Sequence, residues 1–208
     1  MRYRMLIAGF LSIALVAGAC SADDAATSTV TIDTTTTSAD TTTTLSEEKA
    51  ARVALGNAFV DALYSFDPEA LEALFVEGAA TEALYYQGFA EGGNYRIVER
   101  GDCIASRVDE IICPITVEDD AMLALSNETK VTDTHFLTVS DGLLTDHRNT
   151  TNDPEILFFA VLWVFSTYPE MNEGVCAGMW TDGQTPGECA RRIAEGVREY
   201  AEHKGITP

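Results

Sequence analysis

The sequence predicts an α+β domain in which three N-terminal helices precede a bent antiparallel sheet and a helical extension ends the chain. Apolar residues recur at helical spacing up to about residue 90, and Gly92-Gly93 then ends that pattern. Runs of β-branched and aromatic residues, bounded by turn formers, follow between residues 95 and 150. Helices followed by a run of strands are typical of the α+β class.

The N-terminal segment predicts export from the cytoplasm. Two arginines precede an apolar run that ends at Ala17, and the small residues Ala17-Gly18-Ala19 lead into Cys20. A basic start, a short apolar stretch and a small-residue cleavage site define a secretory signal peptide, here residues 1–19. The apolar run is too short for a membrane helix, which needs about 20 apolar residues.

The residues around the cleavage site resemble a bacterial lipobox, in which the cysteine receives a diacylglyceryl group and becomes the mature N-terminus. The resemblance implies a lipoprotein anchored through Cys20 to the extracytoplasmic face of the cell membrane. Ala17 stands where a lipobox usually has Leu, and Ala17-Gly18-Ala19 also fits ordinary secretion. Both interpretations cut the chain after Ala19, and they differ in whether Cys20 carries lipid.

The mature chain is strongly acidic. Of 13 basic residues two lie in the signal peptide, so 11 basic and 33 acidic residues remain and give a formal charge of −22. Such a surface repels nucleic-acid backbones, and we expect no nucleic-acid partner. It also repels anionic lipids, so a covalent anchor is the expected attachment to the membrane.

Residues 20–46 are predicted to form a tether between the anchor and the folded part. Eleven of the eighteen residues from Thr27 to Thr44 are threonine, and no aromatic residue occurs there. Without a period of apolar residues, nothing in this segment offsets the entropy lost on ordering.

Four cysteines remain besides Cys20: Cys103, Cys113, Cys176 and Cys189. An even number in an exported chain favours two disulfides, because the compartment is oxidising. Three pairings are open, and we expect the local one, Cys103 with Cys113 and Cys176 with Cys189. The spacings do not fit the close C-x2-C pairs of a zinc site. We expect neither a metal nor a cofactor.

Three helices are predicted before Gly92. Ser46 is the expected N-cap of the first, which should run to about Tyr64. Asp67-Pro68 should begin the second, with the aspartate as cap and the proline at the first helical position. The third should cover about Ala79–Ala90.

Five strands are predicted after the helices. A turn at Arg107-Val108-Asp109 would place Cys103 opposite Cys113, and Asp141-Gly142 fits a type I′ turn between the last two strands. The class of Met122–Leu125 stays open. In chain order the strands are Tyr95–Glu99, Asp102–Arg107, Ile111–Val117, Val131–Ser140 and Leu143–Thr150.

Two more helices are expected near the C-terminus. Asp153-Pro154 precedes ten consecutive apolar residues, Ile156–Phe165, for which the cap favours a buried helix and a central strand is the alternative. Thr185-Pro186-Gly187-Glu188 forms a capping box for a terminal amphipathic helix. Trp180 and the Cys176–Cys189 loop are expected to hold this helix against the body.

Two parts of the sequence carry a family resemblance: Ala58–Leu63 with Asp67, Leu71 and Leu74, and Phe136–Leu144 with its Asp-Gly turn. They resemble the nuclear transport factor 2-like superfamily, in its SnoaL-like branch. The resemblance implies a cone-shaped bent antiparallel sheet over residues 47–168, with residues 169–208 as an extension. The family includes isomerases, cyclases, dehydratases and members without a known reaction, so membership does not assign an activity.

The last two predicted strands supply a candidate site. A two-residue turn at Asp141-Gly142 would pair Val139 with Leu144 and place a set of side chains on one face, because strand side chains alternate. Its further pairs are Leu137 with Asp146, His135 with Arg148, and Asp133 with Thr150.

If that face lines the cone, Asp133, His135, Asp146 and Arg148 form a polar cluster in which His135 could carry protons beside an orienting carboxylate. The competing interpretation is a solvated strand face. Three tyrosines are further candidates, as pocket-lining residues and as donors to an oxyanion, or else as residues of the core margin. They are Tyr64, Tyr85 and Tyr86.

The function expected from the sequence is that of a membrane-anchored extracytoplasmic module that binds a small apolar ligand or another protein without catalysis. The catalytic set of the family's isomerases has no residue-by-residue match, and nucleophile elbow, phosphate loop, H-E-x-x-H and dinucleotide motifs are absent from the sequence. The alternative is an isomerase, cyclase or dehydratase that uses Asp133, His135 or Asp146. A homodimer formed through the sheet is a third expectation.

Overall fold

Helix α1 is the first element of the described chain, which in this computed structural model comprises residues 38–126, 130–178 and 187–207. It covers Ser38–Ser65 and so begins eight residues before the predicted cap at Ser46. Once a helix is nucleated, each added residue gains a hydrogen bond, so a helix can extend into a run of weak helix formers. The end of the predicted tether is therefore helical. Cys20 lies outside the described residues.

Two shorter helices complete the N-terminal half. Helix α2 covers Pro68–Glu72, and the Asp67 side chain caps it as predicted by accepting hydrogen bonds from the backbone N–H groups of Glu69 and Ala70 at 3.0 and 3.1 Å. Helix α3 covers Thr81–Gly92. The predicted break at Gly92-Gly93 marks its end.

The sheet is antiparallel throughout its described pairs and has the order β1-β3-β4-β5, with β2 also paired to β3. Along β3, buried residues alternate with half-buried ones, as expected when one face covers a core. The turn between β4 and β5 has positive φ angles at Asp141 and Gly142, as a type I′ turn requires. The strands are Arg96–Arg100, Ile104–Ala105, Glu110–Glu118, Val131–Ser140 and Leu143–Thr151.

Four more helices, one between β3 and β4 and three after the sheet, complete the described elements. Helix α4 covers Asp120–Leu125, the segment whose class the sequence left open, and helix α5 covers Glu155–Thr167. The ten-residue apolar run is thus a helix, and the strand alternative is wrong. The expected burial of the run is also wrong, because only Ala160 and Val164 of this helix are buried. Helices α6 and α7 cover Glu170–Glu173 and Gly187–Lys204. The predicted α+β class, with helices, antiparallel sheet and a helical extension in that order, is confirmed.

Two apolar cores hold these elements together. The first lies between the sheet and helices α1 and α3, and the second lies between α4, α5 and α7. Helices α5 and α7 approach closely at Gly196, where an added Cβ would lie 2.6 Å from a methyl group of Val164. Trp180 and Thr185-Pro186, predicted to hold and cap α7, lie outside the described residues. In the described ranges, no helix is both long enough and apolar enough to span a membrane.

Both disulfides form in the local pairing. Cys103 is bonded to Cys113, with their Cα atoms 4.3 Å apart, and Cys176 is bonded to Cys189. The predicted pairing is confirmed. Helix α1 packs directly on the first bridge at Gly56, where an added Cβ would lie 3.0 Å from the Cys113 Sγ atom.

Candidate functional site

A one-residue bulge in β5 decides which side chains of the last hairpin face the core. Val139 pairs with Leu144 as predicted, but Thr138 pairs with Asp146, so Thr145 is an extra residue on β5. Because successive strand side chains point to opposite faces, every later residue of β5 changes sides relative to the prediction. The observed partner of Leu137 is His147.

The predicted positions of Asp146 and Arg148 are therefore wrong. Both are exposed on the face opposite to the core. The Arg148 guanidinium lies 4.6 Å from the centre of the Phe136 ring and 3.5 Å from the Glu110 carboxylate. His135 pairs with Asn149 instead of Arg148, and Asp133 pairs with Thr151 instead of Thr150, so each observed partner is one residue further along β5.

Asp133 does face the core, where two tyrosines contact it. It is buried, and its Oδ2 atom accepts hydrogen bonds from the Tyr64 hydroxyl at 3.4 Å and from the Tyr86 hydroxyl. Burial raises the pKa of Asp133 from 3.8 to about 6, although the hydrogen bonds from the two tyrosines favour its charged form. Tyr64 comes from α1 and Tyr86 from α3, so two helices meet on one carboxyl group.

His135 and His147 continue this network and are called here the histidine pair. The His135 Nε2 atom lies 3.3 Å from the Tyr64 hydroxyl, and its Nδ1 atom lies 3.1 Å from His147 Nε2. The Phe59 ring contacts both imidazoles, at centroid distances of 5.6 and 5.0 Å. Burial lowers the pKa of His135 to about 3 and that of His147 to about 4, so both rings are neutral near pH 7.

The direction of these hydrogen bonds follows from the charge of Asp133. An ionised carboxylate can only accept, so both tyrosines donate to it and the Tyr64 oxygen accepts from His135 Nε2–H. A neutral imidazole carries one N–H, so His135 Nδ1 then accepts from His147 Nε2–H. This leaves Nδ1 of His147 as an acceptor, and it has no hydrogen-bond partner among the described residues. Protonation of Asp133 frees Tyr64 to donate to His135, which allows the whole chain to reverse.

Of the three candidate tyrosines, Tyr64 and Tyr86 belong to this network. Tyr85 is half-buried and lies about 100° around the axis of α3 from Tyr86. His147 is the member that the sequence did not predict. The bulge at Thr145 places His147 on the core face, and no glycine in the sequence marks this bulge.

A cavity of about 280 Å³ lies between the end of α3, the start of α4, α5 and α7. Apolar side chains, among them Phe89, Leu157 and Ile193, form most of its wall. Its polar groups are fewer and come from residues that follow or precede strands. They include Tyr95, Asp119 and Asp153.

Tyr95 connects the cavity to the buried network. Its ring meets the Tyr86 ring edge-on at a centroid distance of 6.4 Å, and its hydroxyl is hydrogen-bonded to Asp119. Burial raises the pKa of Asp119 to about 6, although a backbone hydrogen bond from Met122 in the cap of α4 favours the carboxylate. Burial also raises the pKa of Tyr95. The cavity is thus bordered by a carboxyl group that can take up a proton near neutral pH.

Within the described parts of the chain, no three His, Cys, Asp or Glu side chains are grouped as metal ligands. The fold and the site together define an α+β domain with a buried Tyr–Asp–His network beside an apolar cavity.

Comparisons with protein-family models and with curated proteins find no match. Among solved structures, the chain is similar to a protein of unknown function with a cystatin-like fold from Xanthomonas campestris, with a TM-score of 0.38 and 15% identity over 49% of this chain and 90% of that one. It is also similar to a protein from Sinorhizobium meliloti described provisionally as a polyketide cyclase, with a TM-score of 0.36 and 18% identity over 46% of this chain and 93% of that one. Neither similarity bears on activity.

Proposed function

We propose that this protein is an extracytoplasmic lipoprotein of the nuclear transport factor 2-like superfamily that binds a small, mostly apolar molecule. The order of three helices, an antiparallel sheet and an Asp-Gly turn supports the superfamily, and the signal sequence that precedes Cys20 supports the location. The observation that carries the binding function is the cavity between α3, α5 and α7.

The composition of this cavity suits a ligand with an apolar body and one polar end. Apolar walls with a few convergent polar groups are the usual form of a small-molecule site, and a volume of about 280 Å³ suits a small ligand. Tyr95 and Asp119 are hydrogen-bonded to each other, so they form a fixed polar end of the cavity. A hydroxyl or amide donor on the ligand would complete the bonding capacity of the Asp119 carboxyl.

Burial of the acid–base groups favours binding over catalysis. A catalytic base must come within hydrogen-bond reach of the substrate atom it deprotonates. Asp133 and the histidine pair are buried, and the hydroxyls of Tyr64 and Tyr86 already occupy the Asp133 Oδ2 atom. The network therefore supports the polar end of the cavity from behind, through the contact between Tyr86 and Tyr95.

A proton-transfer enzyme is the second candidate, and one observation favours it. Asp133, with its pKa raised to about 6, is joined through Tyr64 to two neutral imidazoles, which is a pathway along which a proton can move. This candidate requires a ligand-dependent movement of Tyr86. Replacing Asp133 by Asn would leave ligand binding intact in a binding protein and abolish turnover in an enzyme.

The binding function can be tested with a neutral apolar dye, Nile red, titrated into the mature chain with Cys20→Ser. Saturable fluorescence enhancement is expected for this protein. Ala190→Leu fills the cavity from α7, and we expect it to lower the affinity for the dye at least tenfold. Ala51→Leu, on the exposed face of α1, is the matched control. Equal affinity in the three proteins, or no saturable binding, would contradict the proposal.

A further inference from the structure

One face of α5 is apolar and open to solvent. Phe158, Phe159 and Leu162 lie one helical turn or less apart and are 58%, 50% and 43% exposed, and Ile156 is 39% exposed. The opposite side of the helix, at Ala160 and Val164, is buried in the second core. These four exposed residues are called the α5 face. Exposed apolar side chains grouped in this way mark a surface that another body covers.

The α5 face can be removed from water without stranding a charge. After Glu155 at its first position, α5 contains no charged residue up to its end at Thr167. Burying an unpaired charge is strongly unfavourable, so its absence makes this side of the helix suited to an apolar environment.

The face is continuous with the cavity. Phe158 belongs both to the exposed face and to the cavity wall, and its neighbours Leu157 and Val161 line the cavity further in. A molecule that leaves an apolar phase in contact with the α5 face would therefore meet the cavity next.

We propose that the α5 face docks on the lipid bilayer, so that the cavity takes its ligand from the membrane. The inference rests on the proposed anchor at Cys20 and on the proposed binding function. Seventeen residues separate Cys20 from Ser38, the first residue of α1, and a chain of that length spans at most about 60 Å. An acylated Cys20 thus keeps the domain permanently next to a bilayer.

A second copy of the chain fits this face less well than a bilayer does. Four half-exposed side chains offer roughly 400 Å² of apolar surface, estimated from the area of aromatic side chains. A stable protein interface buries about 800 Å² on each partner. A small apolar ridge is instead the size that inserts shallowly between lipid headgroups.

The test measures vesicle binding without the lipid anchor. The mature chain with Cys20→Ser is floated with phosphatidylcholine vesicles, and Phe159→Ser is compared with it, because Phe159 lies on the α5 face and is not among the cavity-lining residues. We expect the parent protein to float. Phe159→Ser should lower the vesicle partition coefficient about tenfold, because it removes one aromatic side chain that would otherwise leave water. Val108→Ser, at an 85% exposed apolar residue in a distant turn, is the matched control and should bind like the parent.

Leu162→Ser provides a second variant on the same face, so the conclusion does not depend on the folding of Phe159→Ser. Since the face carries no charge, binding should be unchanged between 0.1 and 0.5 M salt, a range over which the Debye length falls about twofold. Absence of vesicle binding by the parent would overturn the inference. So would sedimentation of the parent as a dimer that Phe159→Ser dissociates.

Dye binding separates this inference from the proposed function. If Phe159→Ser and the parent bind Nile red equally in vesicle-free solution while only the parent floats, both proposals are supported. If both bind the dye and neither floats, the docking inference alone fails. If the parent floats and Phe159→Ser does not, but neither protein binds the dye, the binding function alone fails.

Discussion

Replacing Asp133 by Asn should make the protein more stable relative to the parent as the pH rises. Burial raises the pKa of Asp133 in the native state from 3.8 to about 6, and the unfolded chain returns it to water. The native state therefore holds a proton near pH 5 that the unfolded state has lost. The resulting stabilisation is fully present below pH 3.8 and is lost as the pH rises through 6.

The size of this loss follows from the two pKa values. The difference corresponds to about 3 kcal/mol, of which about 2 kcal/mol falls between pH 4 and 7. An asparagine keeps a carbonyl oxygen that accepts the hydroxyls of Tyr64 and Tyr86, but it never ionises. The free energy of unfolding of Asp133→Asn minus that of the parent should therefore rise by about 2 kcal/mol over this range.

Urea unfolding followed by tryptophan fluorescence at pH 4, 5, 6 and 7 measures this difference by linear extrapolation. Asp146→Asn is the matched control, because it removes an exposed carboxylate from the same hairpin. A difference that does not change with pH would refute the desolvation of Asp133. A difference that falls with pH would mean that the tyrosine hydrogen bonds outweigh burial and stabilise the carboxylate.

Three further outcomes are expected. His147→Gln should reduce the acid sensitivity of unfolding, because burial lowers the pKa of His147 from 6.5 to about 4. The stabilisation that the neutral imidazole contributes is present above pH 6.5 and decreases by about 3 kcal/mol on acidification to pH 4. Urea unfolding of the variant and the parent at these two pH values measures the difference. Replacing Cys176 and Cys189 by Ser should lower the free energy of unfolding by about 3 kcal/mol, the chain entropy of the released loop, measured by the same assay on the variant and the parent. Gly196→Ala should lower the melting temperature despite the helix propensity of Ala, and adding Val164→Ala should restore it; no recovery in the double variant would exclude the close contact as the cause.

The sequence predicted local structure best where one residue has one strong preference. Asp67-Pro68 began α2 as predicted, and β4 has its predicted bounds of Val131–Ser140. The start of α1 was wrong because threonine propensity argues against a helix, whereas extension of an existing helix needs no new nucleus. The apolar run of α5 has no period, so only Asp153-Pro154 distinguished helix from strand. In the structure Pro154 is the N-cap residue, and no side chain caps the helix.

The sequence predicted the β4 residues of the candidate site correctly and the β5 residues wrongly, because Thr145 is an extra residue on β5. Asp133 and His135 precede the turn on β4, and they reach the core as the predicted alternation requires. Asp146 and Arg148 follow the bulge at Thr145, so they exchange faces with His147. Next to the bulge, Leu144 is hydrogen-bonded to Leu74 and Val76, which follow α2, and such a distant contact is not encoded in the alternation of a single strand.

Helix α1 packs against the Cys103–Cys113 bridge at Gly56, and the two cysteines are only 4% and 0% exposed. Thiol–disulfide exchange requires direct attack on a sulfur atom, so a reductant can reach this bond only when the helix lifts away. The redox state of this disulfide is therefore set when the chain folds and does not follow later changes in its surroundings. Glutathione added to the finished protein should leave this crosslink intact for as long as the native state persists.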